Sequence, residues 1–245
     1  MIEVSNLVKK YGEFTAIDNI SFVAPKGSIV GLLGPNGAGK STTMKILSCF
    51  MPASSGSAKV AGFDVFDDPM EVKKRVGYLP ETPPLYPEMR IGEYLKYVAA
   101  LKKVEPSKLK DRVDYVASRC GLTQSMGKVI GTLSKGFKQR VGIAQALVHD
   151  PEVVILDEPT VGLDPVQIIE IRELIKSLKG THTVILSTHI LPEVTMTCDK
   201  VVMINRGRML VDKALSDLTA GSSETLEKIY VNLISQDLHT PAQNA

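Results

Sequence analysis

The sequence predicts an α/β fold: a mostly parallel sheet with helices on both faces, plus an antiparallel β subdomain and an inserted α-helical subdomain. Three observations predict it. Short apolar, strand-like runs alternate with helical patterns towards both ends of the chain. A glycine-rich loop joins one such run to a helix. The stretch of roughly 83–150 has 3.6-residue apolar spacing and no strand pattern. A length of 245 residues allows one large domain or two small ones. We read one domain over 1–235, with the helical stretch inserted in its core, and a polar tail over 236–245.

The elements follow in order. Ile2–Lys10 and Phe14–Val23 mix alternation with β-branched residues, and Tyr11-Gly12-Glu13 between them reads as a turn. Ser28–Leu33 is an apolar strand running into the glycine loop, and Thr42–Phe50 is a helix stopped by Pro52 and the small residues beyond. Val76–Leu79 is a strand ended by Pro80. Ile91–Lys103, Pro106–Cys120 and Lys135–His149 are amphipathic helices. Strand and helix then alternate through Val153–Leu156, Pro165–Lys179, Thr183–Ser187 and Leu191–Thr197. A hairpin, Val201–Asn205 with Arg208–Val211, and short helices close the chain.

Composition excludes several classes. Apolar residues make up 44% and charged residues 23%, ordinary for a globular chain that needs no disulfide or metal staple. A net charge of +2 without like-charge blocks argues against a nucleic-acid binder. No apolar run approaches the roughly 18–20 residues of a membrane-spanning helix. Met1-Ile2-Glu3-Val4 does not open a signal peptide. Three cysteines without metal-ligand spacing fit a reducing cytosol.

Gly34-Pro35-Asn36-Gly37-Ala38-Gly39-Lys40-Ser41, continued by Thr42, matches the phosphate-loop pattern G-x-x-x-x-G-K-[ST] in its required strand–loop–helix setting. Glycines let the backbone N–H groups turn inward onto phosphate oxygens, and the following helix directs its positive end at the same point. Lys40 would reach the β/γ-phosphates, and Ser41 would offer a hydroxyl to Mg²⁺. This makes the α/β core a P-loop NTPase. Val153–Leu156 leads into Asp157-Glu158 at the strand's C-terminal end, where open α/β sheets bind ligands. Asp157 is placed to hold Mg²⁺ through water, and Glu158, just past the strand, to take a proton from an attacking water.

Further residues carry a family resemblance. Leu133-Ser134-Lys135-Gly136-Phe137 opens a helix and resembles the Leu-Ser-Gly-Gly-Gln signature of ATP-binding cassette (ABC) ATPases. Gly162-Leu163-Asp164-Pro165 resembles that family's D-loop, His189 its switch histidine, and Tyr11 the aromatic residue that stacks on adenine. Taken singly, Ser134 and Asp164 are also ordinary helix N-caps, His189 a turn histidine and Tyr11 a hairpin cover. The order of motifs is the family's, and the resemblance spans residues 1 to about 211.

The resemblance implies ATP and Mg²⁺ as ligands and a head-to-tail dimer of ATPase subunits. ATP on the phosphate loop of one subunit would be covered by Ser134 and Gly136 of the other. Glu158 would activate water, His189 contact the γ-phosphate, and Asp164 link the two sites. Glu81 stands where the family's Q-loop glutamine usually is. A carboxylate can still bind Mg²⁺ but cannot donate a hydrogen bond. Lys135 replaces a signature glycine and Phe137 the signature glutamine, so a slow ATPase is expected.

Tyr78–Met89 and Leu133–Ile143 resemble bacterial ABC-2 type exporter ATPases. That implies a separate polytopic transmembrane permease, docked near Glu81 and the Pro83–Met89 loop. It also implies a place on the cytoplasmic face of the bacterial inner membrane, touching membrane only through the partner and binding no nucleic acid. An importer ATPase remains an alternative, as does a soluble ABC ATPase acting on ribosomes or DNA. The single cassette, the absence of a heptad run and the low charge count against the latter.

Overall fold

Residues 1–219 and 225–239 are described by a computed structural model. Alternating burial builds the first hairpin: β1 (Ile2–Tyr11) pairs antiparallel with β2 (Phe14–Ala24), Tyr11 opposite Phe14. β3 (Ile29–Leu33) is buried along its whole length, as expected of a central parallel strand. It feeds the glycine loop and α1 (Lys40–Leu47).

The sequence reading starts α1 at Thr42 and ends it at Phe50. Gly39, at φ 103°, turns the chain so that Lys40 is already helical, and Cys49, at φ 56°, ends it early. No element was expected over 52–75, yet β4 (Ser55–Val60), β5 (Phe63–Asp64) and α2 (Pro69–Arg75) lie there. β4 forms because the free edge of β1 accepts it, Ile2 pairing with Val60 and Val4 with Ala58. The antiparallel sheet therefore has the order β2-β1-β4-β5.

β6 (Val76–Leu79) precedes three helices, α3 (Ile91–Leu101), α4 (Pro106–Arg119) and α5 (Lys135–Leu147). These helices share one apolar cluster with a face of the second sheet: Leu95, Val116 and Ile143 pack with Val154, Leu156 and Leu186. Then come β7 (Val153–Asp157), α6 (Pro165–Lys176), β8 (Thr183–Thr188), α7 (Leu191–Thr197), β9 (Lys200–Asn205) and β10 (Arg208–Ala214). α8 (Leu215–Thr219) and α9 (Leu226–His239) follow.

The sheet order is β10-β9-β3-β8-β7-β6, parallel except for β10. Successive side chains of one strand serve opposite faces. Val153 and Ile155 meet α1 and the antiparallel sheet, whereas Val154 and Leu156 meet the helical insertion.

At the C-terminal end, α9 is longer than the short helices expected, and it runs through 236–239, assigned from sequence to the polar tail. Leu226, Tyr230 and Leu233 recur at helical spacing and pack with Leu33, Val194 and Met203, and Asn205 donates to Asp237 at 2.8 Å. The rest of that tail, 240–245, lies outside the described residues.

Candidate functional site

Parallel register sets the site's position. Leu33 pairs with Thr188 and Asp157 with Ser187, so the loops after β3, β7 and β8 leave from one sheet edge. At that edge a cleft of about 450 Å³ brings together Tyr11, the phosphate loop from Asn36 to Thr42, Glu81, Glu158 and His189. Gly34 and Pro35 are not in its lining, but their carbonyls hold Lys40, which is. Ser134, Gly136 and Asp164 are not in its lining.

The loop's glycines are required by sterics. Gly37 and Gly39 have φ 79° and 103°, and a Cβ on Gly39 would lie 2.6 Å from the Ala16 carbonyl oxygen. A Cβ on Gly34 would overlap the Ile204 carbonyl oxygen. Lys40 is buried, and its Nζ donates to Gly34 O at 2.7 Å and Pro35 O at 3.2 Å and pairs with Glu158 Oε1 at 3.2 Å. Its three N–H groups are thus engaged, and a bound phosphate would take over part of that set.

Asp157, 2% exposed, accepts on Oδ1 from Ser41 Oγ at 3.1 Å and Ser187 Oγ at 2.5 Å. Ser187 in turn accepts from Glu158 N–H at 2.9 Å. Glu158 is held with φ 47°, a conformation that L-residues rarely adopt. Its other carboxylate oxygen meets His189 Nδ1 at 3.0 Å, so the carboxylate lies between an ammonium and an imidazole. With Nδ1 used there, Nε2 is the ring nitrogen left to meet a ligand.

These residues fit Mg²⁺. While donating its proton to Asp157, Ser41 Oγ keeps lone pairs for a cation, and Asp157 keeps a second oxygen. Among the described residues no group of three or more His, Cys, Asp or Glu forms a metal cage. Mg²⁺ suits such a sparse set because it retains water and phosphate ligands. Exposed Glu81 borders the same cleft and a second groove lined by Pro83, Lys135, Gln139 and Val161.

Ser134 and Asp164 are both N-caps here: Ser134 Oγ accepts from Phe137 N–H at 3.4 Å and Asp164 Oδ1 from Gln167 N–H at 3.0 Å. Gly136 is buried beneath the Gln167 side chain, whose terminal amide would have to swing aside to admit a Cβ. The two departures in the signature have local partners. The Phe137 ring sits between Lys128 Nζ, 5.8 Å from its centroid, and the Arg140 guanidinium, at 5.7 Å. The Lys135 ammonium lies against Gly162, so a side chain there would strike it.

Tyr11 is 46% exposed, its hydroxyl 3.1 Å from Met51 Sδ and Lys9 Nζ 5.3 Å from its ring. Sequence reasoning missed Phe14, which lines the same cleft and is 64% exposed. It also left Ser187 without a role, although its place beside Thr188-His189 was a usable signal. Tyr78 lies near Asp157, and burial, reinforced by that charge, pushes its phenol up to about 12.

A glycine phosphate cradle, a buried lysine and a strand-end Asp-Glu on one edge of a parallel sheet define a nucleotide-triphosphate hydrolase of the P-loop class. The family model described as "ABC transporter" matches residues 17–161. This chain belongs to that family, as an ATP-binding, ATP-hydrolysing subunit. A model described as "AAA domain, putative AbiEii toxin, Type IV TA system" also matches 128–196.

Similar proteins include the linearmycin resistance ATP-binding protein LnrL of Bacillus subtilis (strain 168), 36% identical over 96% of this chain and 76% of its own. The bacitracin transport ATP-binding protein BcrA of Bacillus licheniformis is 36% identical over 93% of this chain and 74% of its own. A solved ATP-binding subunit of an ABC transporter superposes with TM-score 0.86 at 31% identity, covering 96% of this chain and 99% of that one. An ATP-binding cassette solved as a dimer in a post-hydrolysis state with ADP and Pi superposes with TM-score 0.79 at 25% identity, over 88% and 99%. The family binds ATP, generally with Mg²⁺. Among the described residues no helix is long and apolar enough to cross a membrane.

Proposed function

We propose that this chain powers export through a separate transmembrane permease, two copies closing head to tail over ATP. The observation that carries the hydrolytic half is the Lys40–Glu158–His189 cluster at the mouth of the phosphate loop. Export is supported by the relatives' descriptions, which concern resistance and antibiotic transport. Dimerisation is supported by the dimeric neighbour and by the placement of Ser134 and Gly136 outside the cleft that holds the other ATP-facing residues.

In this reading the loop N–H groups and Lys40 bind the β/γ-phosphates, Lys40 exchanging loop carbonyls for phosphate oxygens. Ser41 and Asp157, with Glu81 at the cleft margin, would hold Mg²⁺, which neutralises charge on the phosphates. Glu158 accepts the proton of the attacking water. His189 orients that carboxylate through Nδ1 and meets the γ-phosphate through Nε2. Tyr11 offers a ring to adenine, and Ser134, Gly136 and Asp164 complete the partner's site. A peripheral position on the inner face of a bacterial plasma membrane follows, through the permease alone.

Purified protein should hydrolyse Mg-ATP. Glu158→Gln should lower turnover by about a hundredfold or more while retaining ATP affinity, the size expected for loss of a general base. Failure of the wild-type protein to bind ATP would overturn the reading. Co-purification with a polytopic membrane protein, and loss of drug efflux with Glu158→Gln, test the transport half.

A further inference from the structure

The proposed chemistry uses Glu158 and His189 but leaves another buried carboxylate unexplained. Glu193, 6% exposed, lies in the first turn of α7, where the N-terminal end of a helix favours negative charge. Both of its oxygens are taken, one by a hydroxyl from the loop after β7 and the other by a hydroxyl from the last residue of β8. Thr160 Oγ donates to Oε1, and Thr188 Oγ donates to Oε2 at 2.6 Å. Thr160 stands two residues after Glu158, and Thr188 immediately before His189.

Having given its proton to Glu193, the Thr188 hydroxyl accepts from Ile190 N–H at 3.0 Å, closing a tight turn around His189. In the loop after β7, Glu158 keeps its left-handed backbone between the Ser187 bond to its own N–H and the anchored Thr160. One carboxylate thereby joins the two turns whose side chains, Glu158 and His189, meet at 3.0 Å.

Resting on the site reading above, we propose that Glu193 is a positioning residue that sets Glu158 and His189 in register for water activation. It does not line the cleft, and both of its oxygens are already taken. Its action runs through the hydroxyls of Thr160 and Thr188. A carboxylate is needed because both donors require an acceptor. A glutamine has one acceptor oxygen, so one hydroxyl proton loses its partner.

The test uses the full-length protein and measures kcat, KM, ATP affinity, ATP-binding stoichiometry and Tm. Glu193→Gln should lower kcat by about ten- to a hundredfold, the range for a slightly misplaced catalytic group, with ATP affinity within about threefold of wild type. Thr188→Val should do the same, and the double variant should be no slower than the worse single one. Should the Glu193 variant fail to fold, Thr188→Val and Thr160→Val carry the kcat-against-KM comparison. Unchanged kcat per ATP-binding site overturns the inference. So do losses in kcat and affinity that fall together with Tm, and losses that multiply in the double variant. Glu158→Gln is the control: wild-type turnover in that variant overturns the site reading itself, whereas an inactive control with normal Glu193 variants overturns this inference alone.

Discussion

Glu158 and Gly39 occupy the same backbone region for opposite reasons. Glycine enters it freely, and at 39 it must, because a Cβ would press on the Ala16 carbonyl as well as strain the backbone. Gly39→Ala should cost about 1–3 kcal/mol in stability and weaken ATP binding at least tenfold, since the loop N–H groups lose their convergence. Denaturant melts and ATP titration check both, and an alanine variant with wild-type affinity would contradict the argument. Glu158 has no such freedom. It is held by the Ser187 bond to its N–H and by Lys40 and His189 on its two carboxylate oxygens, the concentration of strain that functional sites display. The Asp157-Glu158 pair was legible as a strand end followed by carboxylates. Its clamp by Ser187 and its contact with Lys40 were not, because Ser187 belongs to a strand 30 residues away.

At the level of elements, the seam between α5 and β6 contains a pH-sensitive group. His149 Nε2 lies 3.1 Å from the Val76 carbonyl oxygen, and Nδ1 is buried without a hydrogen-bond partner among the described residues. Burial, then the nearby Lys102 charge, lowers its pKa to about 4. The unfolded chain takes up this proton near 6.5, the folded one only near 4, so the unfolded state binds more protons in between. Stability should therefore fall as pH drops from 6.5 to about 4, by roughly 2–4 kcal/mol in all from this residue. Urea melts across that range should show the slope, and His149→Gln should flatten it. Similar long-range pairing explains the missed strand β4. Ser55-Gly56-Ser57 has a loop's composition, but β1 offers an open edge. Gly56, at φ 82° with its Cα against the Asn6 backbone, is the residue able to sit there.

At the scale of the whole molecule, the proposed interface makes a separable demand. Ser134 is exposed and caps α5 away from the cleft. Glu158→Gln should convert from monomer to dimer on adding ATP, observed as a doubling of mass by sedimentation. Adding Ser134→Arg should abolish dimerisation while the monomer still binds ATP with near wild-type affinity. A dimer that persists with Ser134→Arg would place the contact elsewhere. The signature departures fit this division. Phe137 is engaged between Lys128 and Arg140, so it does not stand in for the glutamine the family usually has there, and Lys135, in a glycine's place, lays its ammonium against Gly162.

What the chain's order of residues determined was local or periodic. The phosphate loop, the acidic strand end, the alternation of strand and helix, and the helical insertion all follow from spacing that a short window contains. Only the tertiary structure decided which distant groups meet: Glu158 with Lys40 and His189, Asp157 with Ser41 and Ser187, Glu193 with Thr160 and Thr188. It also decided that α9 runs through what composition alone marks as tail. The physical reason is the same throughout. A strand's length and period are written in neighbouring residues, whereas the partner of a buried polar group is set by parallel register between segments far apart in the chain.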